Sequence, residues 1–140
     1  MKTAHRYHGF LSLAALLLLP LNVMAQQAGD PDPSFGTGGK VFTDISGDND
    51  EGYDVALQAD GKIVVAGLSP NVGAGFVQFA VVRYLPDGSL DPGFGINGVV
   101  LTSFGSTNAI AQAVVVQPDG GIVAVGQVAR WIRPSAVMAC

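Results

Sequence analysis

Short apolar runs separated by turn residues dominate the chain after residue 30. Four such runs fill the stretch before residue 86: Lys40–Thr43, Tyr53–Ala59, Lys62–Leu68 and Phe76–Leu85. In the second run Val55 and Leu57 share one face at the period of a strand. The last two runs are apolar on nearly every position and rich in β-branched residues, and no stretch after residue 25 has apolar residues at helical spacing. The pattern predicts β-strands and no helix.

Turn residues lie where the strands must reverse. Ala59-Asp60-Gly61-Lys62 predicts a tight two-residue hairpin, because Asp-Gly readily adopts the positive φ angles of such turns. Pro86-Asp87-Gly88-Ser89 predicts a further turn after the fourth run.

The pattern is then read a second time. Asp32-Pro33-Ser34-Phe35-Gly36 recurs 59 residues later as Asp91-Pro92-Gly93-Phe94-Gly95. Between Asp32 and Gly67 this single offset gives 15 identities in 36 aligned positions. An ungapped match of this length identifies an internal repeat.

Strands that are apolar on both faces need cover on both sides, and sheets of the same kind can supply it. A repeated four-stranded unit of about 40–60 residues is typical of a β-propeller blade. We therefore predict an all-β fold of propeller-like antiparallel blades, with about one complete four-stranded blade and an incomplete second. A β-solenoid is the structural alternative, although its turns are usually shorter than this repeat.

Three segments of the chain resemble the delta-60 repeat. They are residues 32–39, residues 57–67 and residues 79–92, in the order and spacing of that family. The resemblance covers about Asp32 to Val128. It implies a propeller-like fold in a secreted bacterial protein, and it brings no catalytic residues with it.

The first 25 residues have the features of a secretory signal peptide. Lys2 and Arg6 precede the apolar run from Phe10 to Leu19, and Val23-Met24-Ala25 is a small-residue cleavage signature. We expect cleavage after Ala25, a leader over residues 26–31, and an extracellular, periplasmic or cell-surface location.

Cleavage would narrow the available chemistry. Both histidines would be lost, and five basic residues would remain against eleven acids, a net charge of −6. Histidine-dependent triads and zinc sites are then excluded, and an acidic chain disfavours nucleic acid as a partner. Cys140 is the only cysteine, so no internal disulfide can form.

The repeat breaks down near the C-terminus. The first repeat spans residues 32–90 and the second residues 91–128, and the tail over residues 129–140 departs from the pattern. We expect the second copy to lack its closing strand, leaving Gly121–Val128 as an unpaired edge. The predicted partners are therefore further repeats of a longer chain, or other copies through open strand edges.

One acidic loop is a candidate cation site. Asp44, Asp48 and Asp50 lie among glycine and amide residues, and Ca²⁺ favours oxygen-rich loops of this kind. The spacing does not fit an EF-hand, and the matching loop Ser103–Ala111 has no acid. A weak Ca²⁺ site and a merely solvated loop are the two interpretations, and no other cofactor is expected.

The remaining motifs favour structural roles. Gly93-Phe94-Gly95-Ile96-Asn97-Gly98 matches G-x-G-x-x-G, but a β-branched run follows where a dinucleotide site needs a helix. Asp32 and Asp91 are expected to accept backbone N–H bonds in their turns, Arg83 to pair with a turn carboxylate or reach solvent, and Phe35 and Phe94 to wedge between blades.

Two functions remain open from the sequence. The first is a non-catalytic secreted or surface module that acts as scaffold or binding surface. The second is a fragment of a metal-dependent propeller hydrolase.

Overall fold

The computed structural model describes residues 27–129 and 135–140. The signal peptide and its cleavage site lie outside the described residues, as do positions 130–134 of the tail. Seven strands follow one another along the chain: β1 Glu51–Leu57, β2 Ile63–Asn71, β3 Phe76–Tyr84, β4 Val99–Thr102, β5 Asn108–Val116, β6 Ile122–Ala129 and β7 Ser135–Ala139.

These strands form two antiparallel sheets. The first sheet has the order β1-β2-β3-β4 and the second has the order β5-β6-β7. The predicted all-β fold is confirmed: one four-stranded blade-like sheet lies beside a three-stranded one. Among the described residues there is no helix with the length and apolar character needed to cross a bilayer.

The β1–β2 hairpin has a longer turn than predicted. Three residues, Ala59–Gly61, separate Gln58 from Lys62, whose backbone groups are joined by a 2.8 Å hydrogen bond. Gly61 has φ +83°, whereas Asp60 keeps a negative φ and its carboxylate accepts the Lys62 N–H. This is the three-residue hairpin in which one glycine takes the left-handed conformation, so the two-residue prediction was wrong.

A bulge occurs at the same place in both first strands. The pairing register shifts between Gly52 and Asp54 in β1, and between Ala111 and Ala113 in β5. The bulged strand approaches its neighbour so closely that a Cβ on Gly67 would lie 1.8 Å from the Glu51 carbonyl oxygen. The repeat therefore requires glycine at this position.

The fourth strand of the first sheet comes from the second copy of the repeat. β4 pairs with β3 from Phe79↔Thr102 to Val82↔Val99. The matching residues of the first copy, Lys40–Thr43, were predicted as a strand, and that prediction was wrong. The described residues contain no third strand of a preceding blade against which they could pair.

The tail changes the expected edge of the second sheet. β6 is not an edge, because β7 pairs with it from Gln127↔Ser135 to Val123↔Ala139. The predictions of an unpaired edge over Gly121–Val128 and of a missing third strand were therefore wrong. The 59-residue offset from the Val64↔Arg83 pair would place the partner of Val123 three residues later than Ala139. A tail of altered sequence thus still forms a strand, in a different register.

The core lies between the two sheets. The first sheet contributes Val64, Ala66, Phe79 and Val81, and the second contributes Ala109, Ala111, Val114, Ile122 and Ala124. The ring of Phe104, from the β4–β5 connection, meets Phe79 edge to face at 5.0 Å between centroids. Sheet-on-sheet packing thus supplies the cover that the doubly apolar strands require.

Candidate functional site

The repeated Asp-Pro motif folds into the same turn twice. The Asp32 carboxylate accepts the Ser34 N–H at 2.9 Å, and the Asp91 carboxylate accepts the Gly93 N–H at 2.8 Å. In both copies the next glycine, Gly36 or Gly95, has a positive φ near +50° and no room for a side chain. The prediction that these carboxylates accept backbone hydrogen bonds is confirmed.

The second copy of this turn carries the main cluster of charged residues. Asp91 is 6% exposed, and its carboxylate accepts a 2.9 Å hydrogen bond from the Arg83 Nε. The Lys62 ammonium lies 3.8 Å from the same carboxylate and 2.9 Å from Asp60. The Arg83 guanidinium also stacks 4.5 Å above the ring of Phe94. The predicted pairing of Arg83 with a turn carboxylate is confirmed.

This arrangement holds Asp91 in its charged form. The Gly93 N–H lowers the pKa of Asp91, burial opposes it, and the Arg83 and Lys62 charges lower it further. A general acid or base needs a pKa near the working pH, so the cluster is built for ion pairing rather than proton transfer.

The first copy of the turn lacks these partners. Asp32 is exposed, and the Ser34 hydroxyl and N–H alone lower its pKa. Phe94 belongs to the core between the sheets, which confirms it as a wedge, whereas Phe35 is only half-buried and lies against Gly88. The same motif is therefore an inter-sheet element in one copy and a surface turn in the other.

The G-x-G-x-x-G match is a turn. Gly95, Asn97 and Gly98 all have positive φ, and β4 begins at Val99. A strand therefore follows the glycines, and no helix N-terminus faces the site where a pyrophosphate would bind. The structural interpretation of this motif is confirmed.

The acidic loop is organised by its own carboxylates. Asp44 accepts the Gly47 N–H at 2.6 Å, and Asp50 accepts the Ile45 N–H at 2.7 Å. Asp48 accepts only the N–H of Asn49. Within the described part of the chain, no three His, Cys, Asp or Glu side chains form a group that could hold a metal ion. The structure does not bring the three predicted ligands together.

The charge state of Asp50 follows from this loop geometry. Partial burial raises its pKa, but the neighbouring Ser69 hydroxyl and the N–H groups of Ile45 and Ser46 lower it by more, so the net shift is downward. Asp50 is therefore an ionised loop organiser.

One contact across the sheets was missed from the sequence. The Asp54 carboxylate accepts the Val114 N–H at 2.8 Å, at the bulge of β5, and also the N–H of its neighbour Val55 at 2.9 Å. Its partner in the repeat is Ala113, which has no carboxylate. An acid at a repeat position that is otherwise apolar was the available signal.

The largest apolar recess near these residues is a cleft of about 460 Å³ beside β4. Its lining is Thr43, Asp44, Ile45, Leu90, Ile96, Asn97, Val99 and Leu101. Asp44 is the sole titratable group in that lining, and its carboxylate is already bonded to Gly47. The cleft thus offers apolar contact and no pair of catalytic groups.

Comparison with known proteins supports the fold. The family model described as a domain of unknown function (DUF5122) beta-propeller matches residues 58–94. This segment runs from the β1–β2 turn through β2 and β3 to the Asp91 turn. The chain matches no curated protein and no solved structure.

Proposed function

We propose that this chain is a non-catalytic repeat module, exported or held at the cell surface, that acts as a scaffold or binding surface. One observation carries the proposal. The four aspartates shared by both copies, Asp32, Asp60, Asp91 and Asp119, each accept the backbone N–H two residues further on. The polar residues that the repeat retains are thus used to form turns.

The finer assignment concerns the type of repeat. The propeller model matched over residues 58–94 overlaps two of the three segments that resemble the delta-60 repeat. We assign the chain to that type, and the N-terminal segment supports export. Neither assignment needs a catalytic residue.

Export is tested at the N-terminus. The chain, expressed complete in a bacterial host, should yield exported material whose mass and N-terminal sequence begin at Gln26 or within a few residues of it. A variant with Leu16→Arg, which breaks the apolar run, should retain Met1 inside the cell. An intact Met1 on exported wild-type protein would contradict this part of the proposal.

The absence of catalysis is tested against the metal-dependent alternative. Chromogenic ester, phosphoester and glycoside substrates are offered with Ca²⁺, Mg²⁺ or Mn²⁺, and no turnover above the buffer rate is expected. The comparison variant is Asp44→Asn/Asp48→Asn/Asp50→Asn, with Asp87→Asn as a control in an unrelated turn. Turnover that EDTA and the triple variant abolish, but the control retains, would establish the hydrolase instead.

A further inference from the structure

Each sheet has two apolar faces, and the two sheets use opposite ones against each other. We call the face that the second sheet turns towards the first its leading face, and the face that the first sheet turns towards the second its trailing face. The contact between the sheets is therefore trailing face against leading face. Because the sheets are copies of one repeat, the first sheet also has a leading face and the second a trailing face, and neither is covered by the described residues.

The uncovered leading face keeps the residues of the covered one. Val55 is 62% exposed, whereas its repeat partner Val114 is 5% exposed in the core. Ile63 is half-buried, whereas its partner Ile122 is 1% exposed. Side chains of identical type are thus buried in one copy and open in the other. A cavity of about 110 Å³ on this open face lies next to Val65, Leu68 and Tyr84.

The uncovered trailing face is also apolar. Val115 and Val125 are 58% and 37% exposed, whereas Ala66, the repeat partner of Val125, is fully buried. By strand register Ser135 takes the backbone position of Phe79. Larger residues at one position and a smaller one at another keep the face apolar over a comparable volume.

Hydrogen bonding is compatible with a second junction of the same kind. The bulge N–H of Val114 is satisfied from the first sheet by Asp54, a carboxylate that Ala113 cannot supply at the second sheet's trailing face. The corresponding N–H of Val55 already bonds to Asp54 of its own strand. Covering the open leading face therefore leaves no bulge N–H unsatisfied.

A strand is also left over. Residues 40–43 are the repeat partners of β4, which crosses from the second copy to complete the first sheet beside β3. They pair with no strand in the described residues, and the ring of Phe42 is 94% exposed. The outer edge of β7, the positional counterpart of β3, is correspondingly open.

We propose that the chain assembles head to tail with further copies of itself. The open trailing face of one copy covers the open leading face of the next, and residues 40–43 of the latter become the fourth strand of the former's second sheet. This inference deepens the proposed scaffold function by naming its partner. Loss of the assembly would overturn the inference and leave the non-catalytic proposal intact.

The β3–β4 pairing fixes the register of the new strand. Transferred to the junction, it places Ser135 opposite Thr43 and Met138 opposite Lys40. Head-to-tail contacts close into a ring when the rotation permits. With two blades in each copy and about four to eight blades in known propellers, a ring holds about two to four copies.

The first test measures mass in solution. The complete chain is purified in the processed form that accumulates and examined by size-exclusion chromatography with light scattering over a hundredfold range of concentration. We expect one discrete species of about two to four copies. Val55→Glu, on the leading face, and Val115→Glu, on the trailing face, should each give monomers. Val72→Glu, at a turn position that is 67% exposed, is the matched control and should assemble normally.

Mixing the two face variants distinguishes this contact from other kinds of association. Val55→Glu retains its trailing face and Val115→Glu retains its leading face, so the mixture should form a one-to-one dimer that grows no further. Circular dichroism of each variant checks that it remains folded.

Cross-linking checks the register. In a Cys140→Ser background, copies with Met138→Cys should form a disulfide with copies carrying Lys40→Cys, and not with copies carrying Thr37→Cys. A monomeric wild-type chain, face variants that still assemble, or a mixture without a heterodimer would each overturn the proposal.

Discussion

The two copies of the repeat show how one sequence pattern acquires two environments. Asp91 is buried, pairs with Arg83 and adjoins the core, whereas Asp32 forms the same turn in solvent. Val114 is buried, whereas Val55 is exposed. Within each copy the local geometry is the same, including the bulge, the hairpin glycine and the Asp-Pro turn.

The comparison separates two kinds of constraint. Backbone features such as the bulge are satisfied inside one sheet, so they should matter equally in both copies. Burial and ion pairing depend on which neighbour is present, so substitutions that act through them should have unequal effects. The predictions below use matched positions 59 residues apart.

The largest effect is expected where the copies are alike. A Cβ at Gly67 or Gly126 would lie 1.8 or 1.9 Å from a backbone oxygen, and backbone cannot yield as a side chain can. Gly67→Ala and Gly126→Ala should each reduce the free energy of unfolding by about 3 kcal/mol or more in urea titrations. Gly73→Ala, which places its Cβ in open space at φ +101°, is the control for left-handed strain and should cost about 1–2 kcal/mol. A change no larger than that control at Gly126 would refute the close approach.

A buried and an exposed valine should differ. Val114→Ala removes two buried methyl groups and should cost about 2 kcal/mol, whereas Val55→Ala should stay within about 0.5 kcal/mol in dilute solution. Thermal unfolding at two protein concentrations measures both. If copies assemble head to tail, the cost of Val55→Ala should rise with concentration. Equal costs in dilute solution would show that the sheets do not stack as described.

Asp54 should contribute through its contact across the sheets. Asp54→Ala leaves the Val114 N–H without its acceptor and should cost about 1.5 kcal/mol. Asp54→Asn keeps an oxygen acceptor and should restore most of that loss. Asp48→Ala, whose carboxylate bonds only to the adjacent N–H, is the control and should be near neutral. Equal effects of the alanine and asparagine variants would argue against the hydrogen bond.

The two turn aspartates should differ in their response to acid. The folded-state pKa of Asp91 is lowered by the Gly93 N–H and by the nearby Arg83 and Lys62 charges, against an unfolded value of about 3.9. Its stabilisation is therefore present above that value and is lost as pH falls through the lower folded pKa. Asp91→Asn should flatten the dependence of melting temperature on pH between about 5 and 2 more than Asp32→Asn does. Identical curves for both variants would remove the distinction.

The smallest expected effect concerns Ca²⁺ at the acidic loop. A site with a dissociation constant of about 1 mM would add only about 0.4 kcal/mol at an equal Ca²⁺ concentration. Isothermal calorimetry compares the wild type with Asp48→Asn, which disturbs the loop's own hydrogen bonds least. Heat that survives this substitution, or no heat at all, would leave Asp44, Asp48 and Asp50 as loop organisers only.

Local features could be predicted from the sequence because local residues enforce them. Short β-branched runs, glycines at positive φ and the Asp-Pro turn fold in the same way wherever they occur, so the strands, the repeat and the roles of Asp32 and Asp91 followed from their spacing. Sites that depend on two distant strands did not follow. The Asp54–Val114 hydrogen bond joins positions 60 residues apart, and no local pattern marks it.

Pairing was decided by the tertiary structure alone. Residues 40–43 and β4 have nearly the same sequence pattern, yet only β4 is a strand, because a strand needs a neighbour with free backbone groups and only β3 supplies one. β7 forms from a tail that does not match the repeat, because the edge of β6 offers the same backbone groups to any extended segment. The sequence by itself determined which segments are extended and where they turn. The three-dimensional arrangement determined which of them pair and which apolar faces remain open.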